Sequence, residues 1–205
     1  MAEITSIEPQ KKDAKRCNVY VDGRFYCGIK LEVAIKYRLK AGMQIEKSQL
    51  DEIQLETEKS QALDKALTHI SASPKTKKQI ADFLSEKGYT EAVQSYVLER
   101  LEYYKFVDDY AYCRAYVQSV TGKGKRALEA DLIKRGAERR AIEETLGEVE
   151  EDSGEAVKIL QKYMRGKEFT KENLYKGFKY MLSKGYSYDT AKTALEDVGD
   201  GNEDY

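Results

Sequence analysis

The stretch TGKGKR, Thr121 to Arg126, contains the residue types that bind phosphate, namely glycines that free backbone N–H groups and lysines that carry positive charge. A nucleotide-binding P-loop needs the spacing G-x-x-x-x-G-K-[ST] after a strand and before a helix. This stretch lacks that spacing, and a helical pattern precedes it. We therefore interpret it as a basic turn between two helices.

The adjacent carboxylates Asp108 and Asp109 suggest a metal site or a catalytic pair. They stand immediately before a helical pattern, where an aspartate accepts hydrogen bonds from free backbone N–H groups and favours the helix dipole. The chain has one histidine, His69, which has no companion at ligand spacing and offers no base to a serine or cysteine. We therefore predict helix caps, no metal, no cofactor and no enzyme.

Three cysteines, Cys17, Cys27 and Cys113, are an odd number. The segment RCNVYV-DG-RFYCGI predicts a hairpin with a two-residue turn at Asp22-Gly23, which would place Cys17 and Cys27 on opposite faces. We therefore expect reduced thiols and a cytoplasmic protein. No signal peptide is expected, and no apolar stretch approaches the ~20 residues of a membrane-spanning helix.

Charge is strongly segregated, although the net charge is only −1. Seven basic and three acidic residues lie between Gly122 and Arg140, whereas seven acidic and no basic residues lie between Glu143 and Glu155. Five more acids follow between Glu196 and Asp204. Opposed patches suit a charged protein groove or a polyelectrolyte, and solvated helix faces are the plainer alternative.

The first fifty residues predict a small N-terminal unit that consists of the β-hairpin and a helix. Beside the hairpin, ITSIEPQ predicts an edge strand that ends at Pro9. LEVAIKYRL predicts a helix that stops near Gly42. The apolar face expected for that helix consists of Leu31, Ala34, Ile35 and Leu39.

From about Ser48 onward the pattern is almost continuously helical, and it contains a repeat with a period of 48 to 49 residues. Three glycines, each preceded by Lys or Arg, mark it: Gly88, Gly136 and Gly185. Apolar residues match four positions before each glycine (Leu84, Leu132 and Met181) and ten positions after it (Leu98, Leu146 and Leu195). Matches on both sides of the glycine indicate a triplicated unit.

Each unit predicts three helices, and the glycine ends the second. A residue in the left-handed conformation commonly ends a helix, and glycine adopts it without steric cost. Ser73-Pro74 is expected to begin the second helix of the first unit, and Thr90 and Ser187 are expected to cap the helices that follow the glycines.

The predicted fold is therefore mainly α, with three tandem three-helix repeats in an elongated, curved array and a small N-terminal β-hairpin plus helix. The predicted boundaries are 1–56 for the N-terminal extension, 57–107 for the first repeat, 108–152 for the second, and 153–205 for the third with its acidic tail.

The central unit, FVDDYAYCRAYVQSVTGKGKRALEADLIKRGAERRAIEETL, resembles the RecX family of regulators of the RecA recombinase. That family has a D-D-x-x-[aromatic]-A-x-x-[aromatic]-[apolar] run, a basic glycine turn and an E-L-x-x-[basic]-G segment. Here Cys113 replaces the usual alanine, and Asp131 stands where glutamate is common. The matching residues are Asp108, Asp109, Tyr112, Tyr116, Val117, Gly124, Arg126, Leu132, Arg135 and Gly136.

The resemblance implies a non-enzymatic regulator that lies in the groove of the RecA–DNA filament. We expect a monomer, because no long apolar heptad demands a dimer. It would inhibit RecA's recombinase, ATPase and co-protease activities, and so modulate homologous recombination, DNA repair and the SOS response. Its partners would be the RecA filament and single- or double-stranded DNA, with no membrane. We assign the contact surface to Lys123, Lys125, Arg126, Arg135, Arg139 and Arg140.

The alternative is a general helical DNA-binding protein of helix-turn-helix type. Two observations disfavour this alternative: the net charge of the chain is slightly negative, and no helix shows an Arg, Asn or Gln face that would read bases. Tight, sequence-selective binding to free DNA would favour this alternative. A TPR-like peptide-binding scaffold ranks last, because its period is ~34 residues.

Overall fold

The computed structural model describes residues 1–11 and 13–200, which form an N-terminal antiparallel sheet followed by helices. The N-terminal elements are β1 (Ala2–Gln10), β2 (Asp13–Val21), β3 (Arg24–Lys30), α1 (Leu31–Lys36) and β4 (Met43–Ile45). The helices that follow are α2 (Lys47–Ala72), α3 (Lys77–Glu86), α4 (Glu91–Tyr103), α5 (Asp109–Ser119), α6 (Lys125–Lys134), α7 (Arg139–Gly147), α8 (Ser153–Met164), α9 (Lys171–Ser183) and α10 (Tyr188–Asp200).

The sheet has four strands in the order β3-β2-β1-β4, whereas the sequence predicted three, namely the hairpin and one edge strand. The β2–β3 hairpin itself is confirmed, with positive φ at both Asp22 and Gly23. The prediction that β1 is an edge strand ending at Pro9 is wrong, because β4 pairs with its first residues. That pairing stops at Ile4, so Pro9 needs no N–H for a bond to β4.

The predicted separation of two cysteines onto opposite faces is also wrong. Cys17 lies opposite Ile29, and Val19 lies opposite Cys27, so both thiols share the face that packs into the core. A β-bulge after Val19 inserts one extra residue into β3 and reverses the facing of the residues beyond it. Both thiols are free.

The apolar face predicted for α1 is confirmed only in part, since Ala34 is buried and Leu39 packs against the core. Leu31 and Ile35 are 47% and 67% exposed, whereas Val33 and Ala34 are buried. The helix ends at Lys36 rather than near Gly42, since Arg38 adopts a positive φ of 50° and turns the chain. A helix of six residues buries only the one or two side chains that meet the sheet.

The chain forms two compact units, of which the first comprises Met1–Pro74 and Ile80–Phe106. Its sheet, α1 and the beginning of α2 share a core, and α2 also packs on α4. Helix α2 is continuous across residue 56, where a domain boundary was predicted. The core residues are Ile4, Cys17, Val19, Ile29, Val33, Ala34, Ile45, Leu50 and Ile53.

The second unit comprises Lys75–Gln79 and the chain from Val107 onward. It holds two separate cores, one shared by α5, α6 and α7 and the other by α8, α9 and α10. We call these helix triplets the central module and the third module. The first core is built on Cys113, Leu128, Leu132, Ala141, Ile142 and Leu146. The second is built on Ala156, Leu160, Met164, Met181, Tyr186, Ala191, Ala194 and Val198.

Helical modules of three helices are thus present, whereas the exact repeat boundaries and the elongated, curved arrangement stay predictions. The acidic tail reaches residues 201–205, which lie outside the described part of the chain.

The repeated glycines end helices, as predicted. Gly88, Gly136 and Gly185 have positive φ angles of 82°, 74° and 88°. The residue after each glycine donates its N–H to a carbonyl five residues earlier, the hydrogen bond that defines a Schellman cap. The three bonds join Tyr89 to Leu84, Ala137 to Leu132, and Tyr186 to Met181.

The start of α3 differs from the prediction. Helix α3 begins at Lys77 rather than at Pro74, and Ser73 instead ends α2. Thr76 Oγ1 accepts from the Gln79 N–H, and Gln79 Oε1 accepts from the Thr76 N–H, which is a capping box. Of the two other predicted caps, the one at Ser187 is confirmed, because Ser187 Oγ accepts from the Thr190 N–H. Thr90 precedes α4, but its side chain forms no capping hydrogen bond.

Candidate interaction surface on the central module

The two aspartates at the start of the central module have different structural tasks. Asp108 caps α5 by accepting from the Ala111 N–H at 3.0 Å, as predicted. Asp109 is buried, and its two carboxylate oxygens accept from the N–H groups of Lys77 at 2.9 Å and Glu138 at 2.8 Å. Asp109 therefore anchors the first turns of α3 and α7, which satisfies N–H groups that lack helical partners.

Two predicted tyrosines and two predicted cations meet in one polar network on α5 and α6. The Tyr116 hydroxyl donates to Asp131 Oδ2 at 2.7 Å, and the Lys123 ammonium pairs with the same oxygen. The Arg135 guanidinium lies 4.5 Å from the centre of the Tyr116 ring and donates to the Tyr112 hydroxyl at 3.3 Å. We call these five residues the central network.

The charges of the central network stabilise one another. Hydrogen bonds from Lys123 and then Tyr116 hold the pKa of Asp131 below its ordinary value. The bond to Asp131 raises the pKa of Lys123, and bonds to Tyr112 and Tyr116 raise that of Arg135. All three groups are therefore charged at neutral pH, and the network presents two cations around one carboxylate.

The basic turn uses its backbone for packing. The Gly124 N–H donates to the Lys184 carbonyl at 3.0 Å, and the Arg126 N–H donates to the Gly185 carbonyl at 3.1 Å. A Cβ on Gly124 would lie 2.3 Å from the Tyr186 nitrogen, so only glycine permits this approach. The basic turn at Thr121 to Arg126 thus packs its backbone against the glycine cap at Gly185 in the third module.

A second carboxylate, the half-buried Glu151, repeats the task of Asp109. Glu151 accepts from the N–H groups of Lys125 and Ser187, each at 3.0 Å, and from the Thr190 hydroxyl at 2.6 Å. It thereby anchors the first turn of α6 and the start of α10. In both modules, an acid at or just before the first helix accepts hydrogen bonds from the N-termini of two other helices.

The six predicted contact residues are divided among three places. Lys123 and Arg135 lie in the central network, while Lys125 and Arg126 line an open cleft beside Glu150 and Glu151. Arg139 and Arg140 begin α7, where Arg139 pairs with Glu143 at 2.8 Å. Within the described residues, Arg126 and Arg140 are exposed and form no ion pair.

An apolar surface accompanies these charges. Ile133 is 61% exposed, and it lines a shallow groove with Ala137 and Ile142. Arg139 and Glu143 form the charged rim of this groove. Exposed aliphatic surface ringed by charge is typical of a site that contacts protein.

Sequence reasoning missed the two carboxylates that organise the surface. Asp131 was noted only as a departure from a family pattern, and Glu151 was counted only within an acidic run. The spacing of Tyr116, Lys123 and Asp131 around a basic turn was an available signal. No local signal identifies Glu151, because its partners lie 26 to 39 residues away.

Among the described residues, no three His, Cys, Asp or Glu side chains are grouped so that they could hold a metal ion. No described helix has the length and apolar character needed to cross a bilayer.

Comparison with known families gives two matches. Residues 2–46 match the model described as Regulatory protein RecX N-terminal domain. Residues 62–101 match the model described as RecX, first three-helix domain.

Curated relatives match over nearly the whole chain. Regulatory protein RecX of Clostridium perfringens strain SM101 is 31% identical over 202 residues, which cover 95% of each protein. The protein of the same name from Clostridium tetani is 30% identical, covering 94% of this chain and 93% of the relative. That from Bacillus subtilis is 29% identical, covering 97% of this chain and 78% of the relative.

Two solved structures share the fold. A crystal structure of regulatory protein RecX aligns with a TM-score of 0.79 at 24% identity, covering 98% of this chain and all of the other. The crystal structure of RecX from Lactobacillus salivarius aligns with a TM-score of 0.65 at 21% identity, covering 69% of this chain and 97% of the other.

Proposed function

The chain belongs to the RecX family, and from this membership we propose that it is a non-enzymatic regulator that binds the RecA–DNA filament. Binding would inhibit RecA's recombinase, ATPase and co-protease activities, and so modulate homologous recombination, DNA repair and the SOS response. The observation that carries the proposal is the similarity to RecX regulators over 95% of both chains. Such a partner puts the protein in the cytoplasm, where its three thiols stay reduced.

The surface of the central module has the mixed chemistry that a protein–DNA filament requires. The exposed cations Arg126 and Arg140 suit acidic side chains or phosphates, and the groove around Ile133 suits apolar side chains. Each cation alone contributes little in water, so we expect the contact to weaken as salt concentration rises.

Repeated modules support binding to a repeated partner. The central and third modules each have their own core, and each has a carboxylate that joins helix N-termini, Asp109 or Glu151. Each module therefore presents its own surface. Several weak contacts on one chain gain affinity when they engage neighbouring subunits of one filament. We therefore expect contacts spread over more than one RecA subunit, with no need for a dimer.

The test reverses Arg126 and Arg140, two exposed cations that form no ion pair with any described residue. Arg126→Glu/Arg140→Glu should raise the concentration for half-inhibition of DNA-dependent RecA ATPase activity by about tenfold or more, because attraction becomes repulsion. Lys123 and Arg135 are left intact, since reversing them would break the central network.

The control variant is Arg24→Glu/Lys47→Glu, which makes the same charge change at two exposed residues of the first unit. It should inhibit like the unmodified protein, and circular dichroism should show unchanged helicity in both variants. Equal inhibition by both variants would remove the surface assignment. Failure of the unmodified protein to inhibit would remove the proposed function.

A further inference from the structure

A second basic region lies in the third module, outside the surface assigned above. Between Lys158 and Lys184 there are eight basic residues and only two acidic ones, Glu168 and Glu172. This excess of six positive charges exceeds the excess of four between Gly122 and Arg140. The basic residues are Lys158, Lys162, Arg165, Lys167, Lys171, Lys176, Lys179 and Lys184.

Few of these charges are neutralised. Within the described part of this segment, Lys176 forms an ion pair with Glu172 at 2.7 Å, and the other seven cations form none. Like charges concentrated on α8, α9 and the turns that follow them repel one another and destabilise the module. Such an unpaired excess is expected where a polyanion binds.

Tyrosines are interleaved with the lysines. The rings of Tyr163 on α8 and Tyr180 on α9 stack with centres 4.4 Å apart and an interplanar angle of 17°. The Lys167 ammonium lies 3.2 Å from the centre of the Tyr163 ring, and that of Lys184 lies 5.3 Å from the centre of the Tyr180 ring. The aromatic pair is thus flanked by cations.

A third tyrosine, Tyr175, forms a further cation–aromatic pair on α9, and it lies about 140° around the helix from Tyr180. The Lys179 ammonium lies 4.5 Å from the centre of the Tyr175 ring, one helical turn away. Tyr175 is 58% exposed, whereas Gly177 and Met181, on the other side of α9, are buried. We define the tyrosine–lysine strip as Tyr163, Lys167, Tyr175, Lys179, Tyr180 and Lys184.

Packing alone explains only part of the strip. Tyr163 and Tyr180 are half-buried beside the core of the third module, so their rings contribute to its stability. Tyr175 is absent from that packing and leaves most of its ring in water. An exposed ring beside unpaired lysines is the arrangement that stacks a nucleic-acid base while cations contact the adjacent phosphates.

We propose that the tyrosine–lysine strip binds single-stranded DNA directly, with its lysines on phosphates and Tyr175 stacked on a base. A single strand is favoured over a duplex, because only an unstacked base offers its face to a ring. An acidic protein surface would use the lysines but not the ring. The choice of DNA rests on the proposed function, whereas the phosphate and base chemistry does not.

Binding is measured without RecA, by fluorescence anisotropy of a labelled thirty-nucleotide oligo(dT) at several salt concentrations. Lys167→Gln/Lys179→Gln/Lys184→Gln should weaken binding and lower the slope of log affinity against log salt by about 2, given roughly 0.7 per phosphate contact. The control Lys158→Gln/Lys162→Gln/Arg165→Gln removes the same charge from residues outside the strip. It should leave the slope within about 1 of the unmodified protein, as only long-range attraction is lost.

Stacking is tested separately with Tyr175→Ala. This variant should bind oligo(dT) about fivefold or more weakly, and should bind an abasic oligomer of equal length as the unmodified protein does. Lys171→Ala shortens an exposed side chain at the start of α9 and is the control for side-chain truncation on this helix. It should leave the ratio of the affinities for oligo(dT) and the abasic oligomer unchanged.

Several results would overturn the proposal. They are absence of oligo(dT) binding, an equal loss of slope in both triple variants, and an equal effect of Tyr175→Ala on the abasic oligomer. Tighter binding of oligo(U) would assign the strip to RNA, and displacement by polyglutamate at equal charge concentration would assign it to an acidic protein. Because RecA is absent, these results are independent of whether the chain inhibits the filament.

Discussion

At the scale of single residues, buried and half-buried polar groups show where this protein depends on exact partners. Asp109 and Glu151 are satisfied by backbone N–H groups, and Asp131 is satisfied by a tyrosine and a lysine. Tyr186 differs, because its hydroxyl is buried and has no hydrogen-bond partner among the described residues. Burial, with nearby Glu155 and Glu151, raises the pKa of Tyr186 to about 12.

Removing that hydroxyl should stabilise the protein. Tyr186→Phe keeps the ring in the core of the third module and relieves the cost of an unsatisfied buried group, so the free energy of unfolding should rise by about 1 kcal/mol. Urea denaturation followed by circular dichroism measures it. The matched control Tyr116→Phe removes a hydroxyl that is bonded to Asp131 and should lower the same quantity by about 1 kcal/mol. A loss of stability in Tyr186→Phe would show that its hydroxyl has a partner.

At the scale of elements, the stability of the second unit depends on how helix starts are joined. Burial raises the pKa of Glu151, but bonds from Thr190, Ser187 and Lys125 outweigh it and hold the pKa below the ordinary value of 4.5. A carboxylate with a depressed pKa contributes stability above its unfolded pKa and loses it as pH falls through the folded value.

Glu151→Gln tests whether the Glu151 carboxylate joins the starts of α6 and α10. The amide replaces one accepting oxygen with a donor that faces N–H groups, so the free energy of unfolding at pH 7 should fall by about 2 kcal/mol. The difference from the unmodified protein should shrink as pH falls below the ordinary pKa of 4.5 and through the lower folded value, because protonation removes the advantage of the charged carboxyl. The neighbouring exposed acid supplies the control, Glu150→Gln, which should change little at either pH. A deficit of constant size from pH 7 to pH 3 would contradict the role assigned to the Glu151 charge.

The three glycine caps should differ in their tolerance of alanine. All have positive φ, which costs alanine about 1 kcal/mol, but their surroundings differ. A Cβ on Gly88 meets no atom within 4 Å, one on Gly136 meets the flexible Lys78 side chain at 2.6 Å, and one on Gly185 meets the Ala127 nitrogen at 2.3 Å.

We therefore expect the loss of unfolding free energy to increase from Gly88→Ala to Gly136→Ala to Gly185→Ala. The first should lose about 1 kcal/mol and the last about 3 kcal/mol or more, since backbone must move to admit the methyl group. Thermal and urea denaturation of the three variants measure the order. Equal losses would mean that the contact between the basic turn and the Gly185 cap is looser than described.

These elements also show what the sequence could predict. Glycine caps, the Asp22-Gly23 hairpin and the Asp108 cap depend on neighbours within a few residues, and all were predicted. The inner position of β1 depends on a three-residue strand more than thirty residues away, and the facing of Cys27 depends on one bulged residue. Those features follow from partners that no local pattern specifies.

The candidate surface divides in the same way. Tyr112, Tyr116 and Arg135 were identified from their order along the chain, and they meet in one network. Charge counting selected the central module but could not distinguish Arg126, which forms no ion pair with any described residue, from Lys123, which is bound to Asp131. Pairing depends on side-chain geometry, which charge counting does not include.

At the scale of the whole molecule, the chain combines an N-terminal sheet with helical modules that each own a core and an exposed set of cations. Membership of the RecX family and this modular organisation support a regulator that acts by binding rather than by catalysis. The central claim is that the chain restrains the RecA–DNA filament, and the two charged surfaces are proposals about how it does so.

The most direct test is the rate of DNA-dependent ATP hydrolysis by RecA as increasing amounts of the unmodified protein are added to preformed filaments. The rate should fall progressively and be largely suppressed at or below one molecule per RecA subunit, with weaker inhibition at higher salt. An unchanged rate at equal amounts of the two proteins would contradict the account.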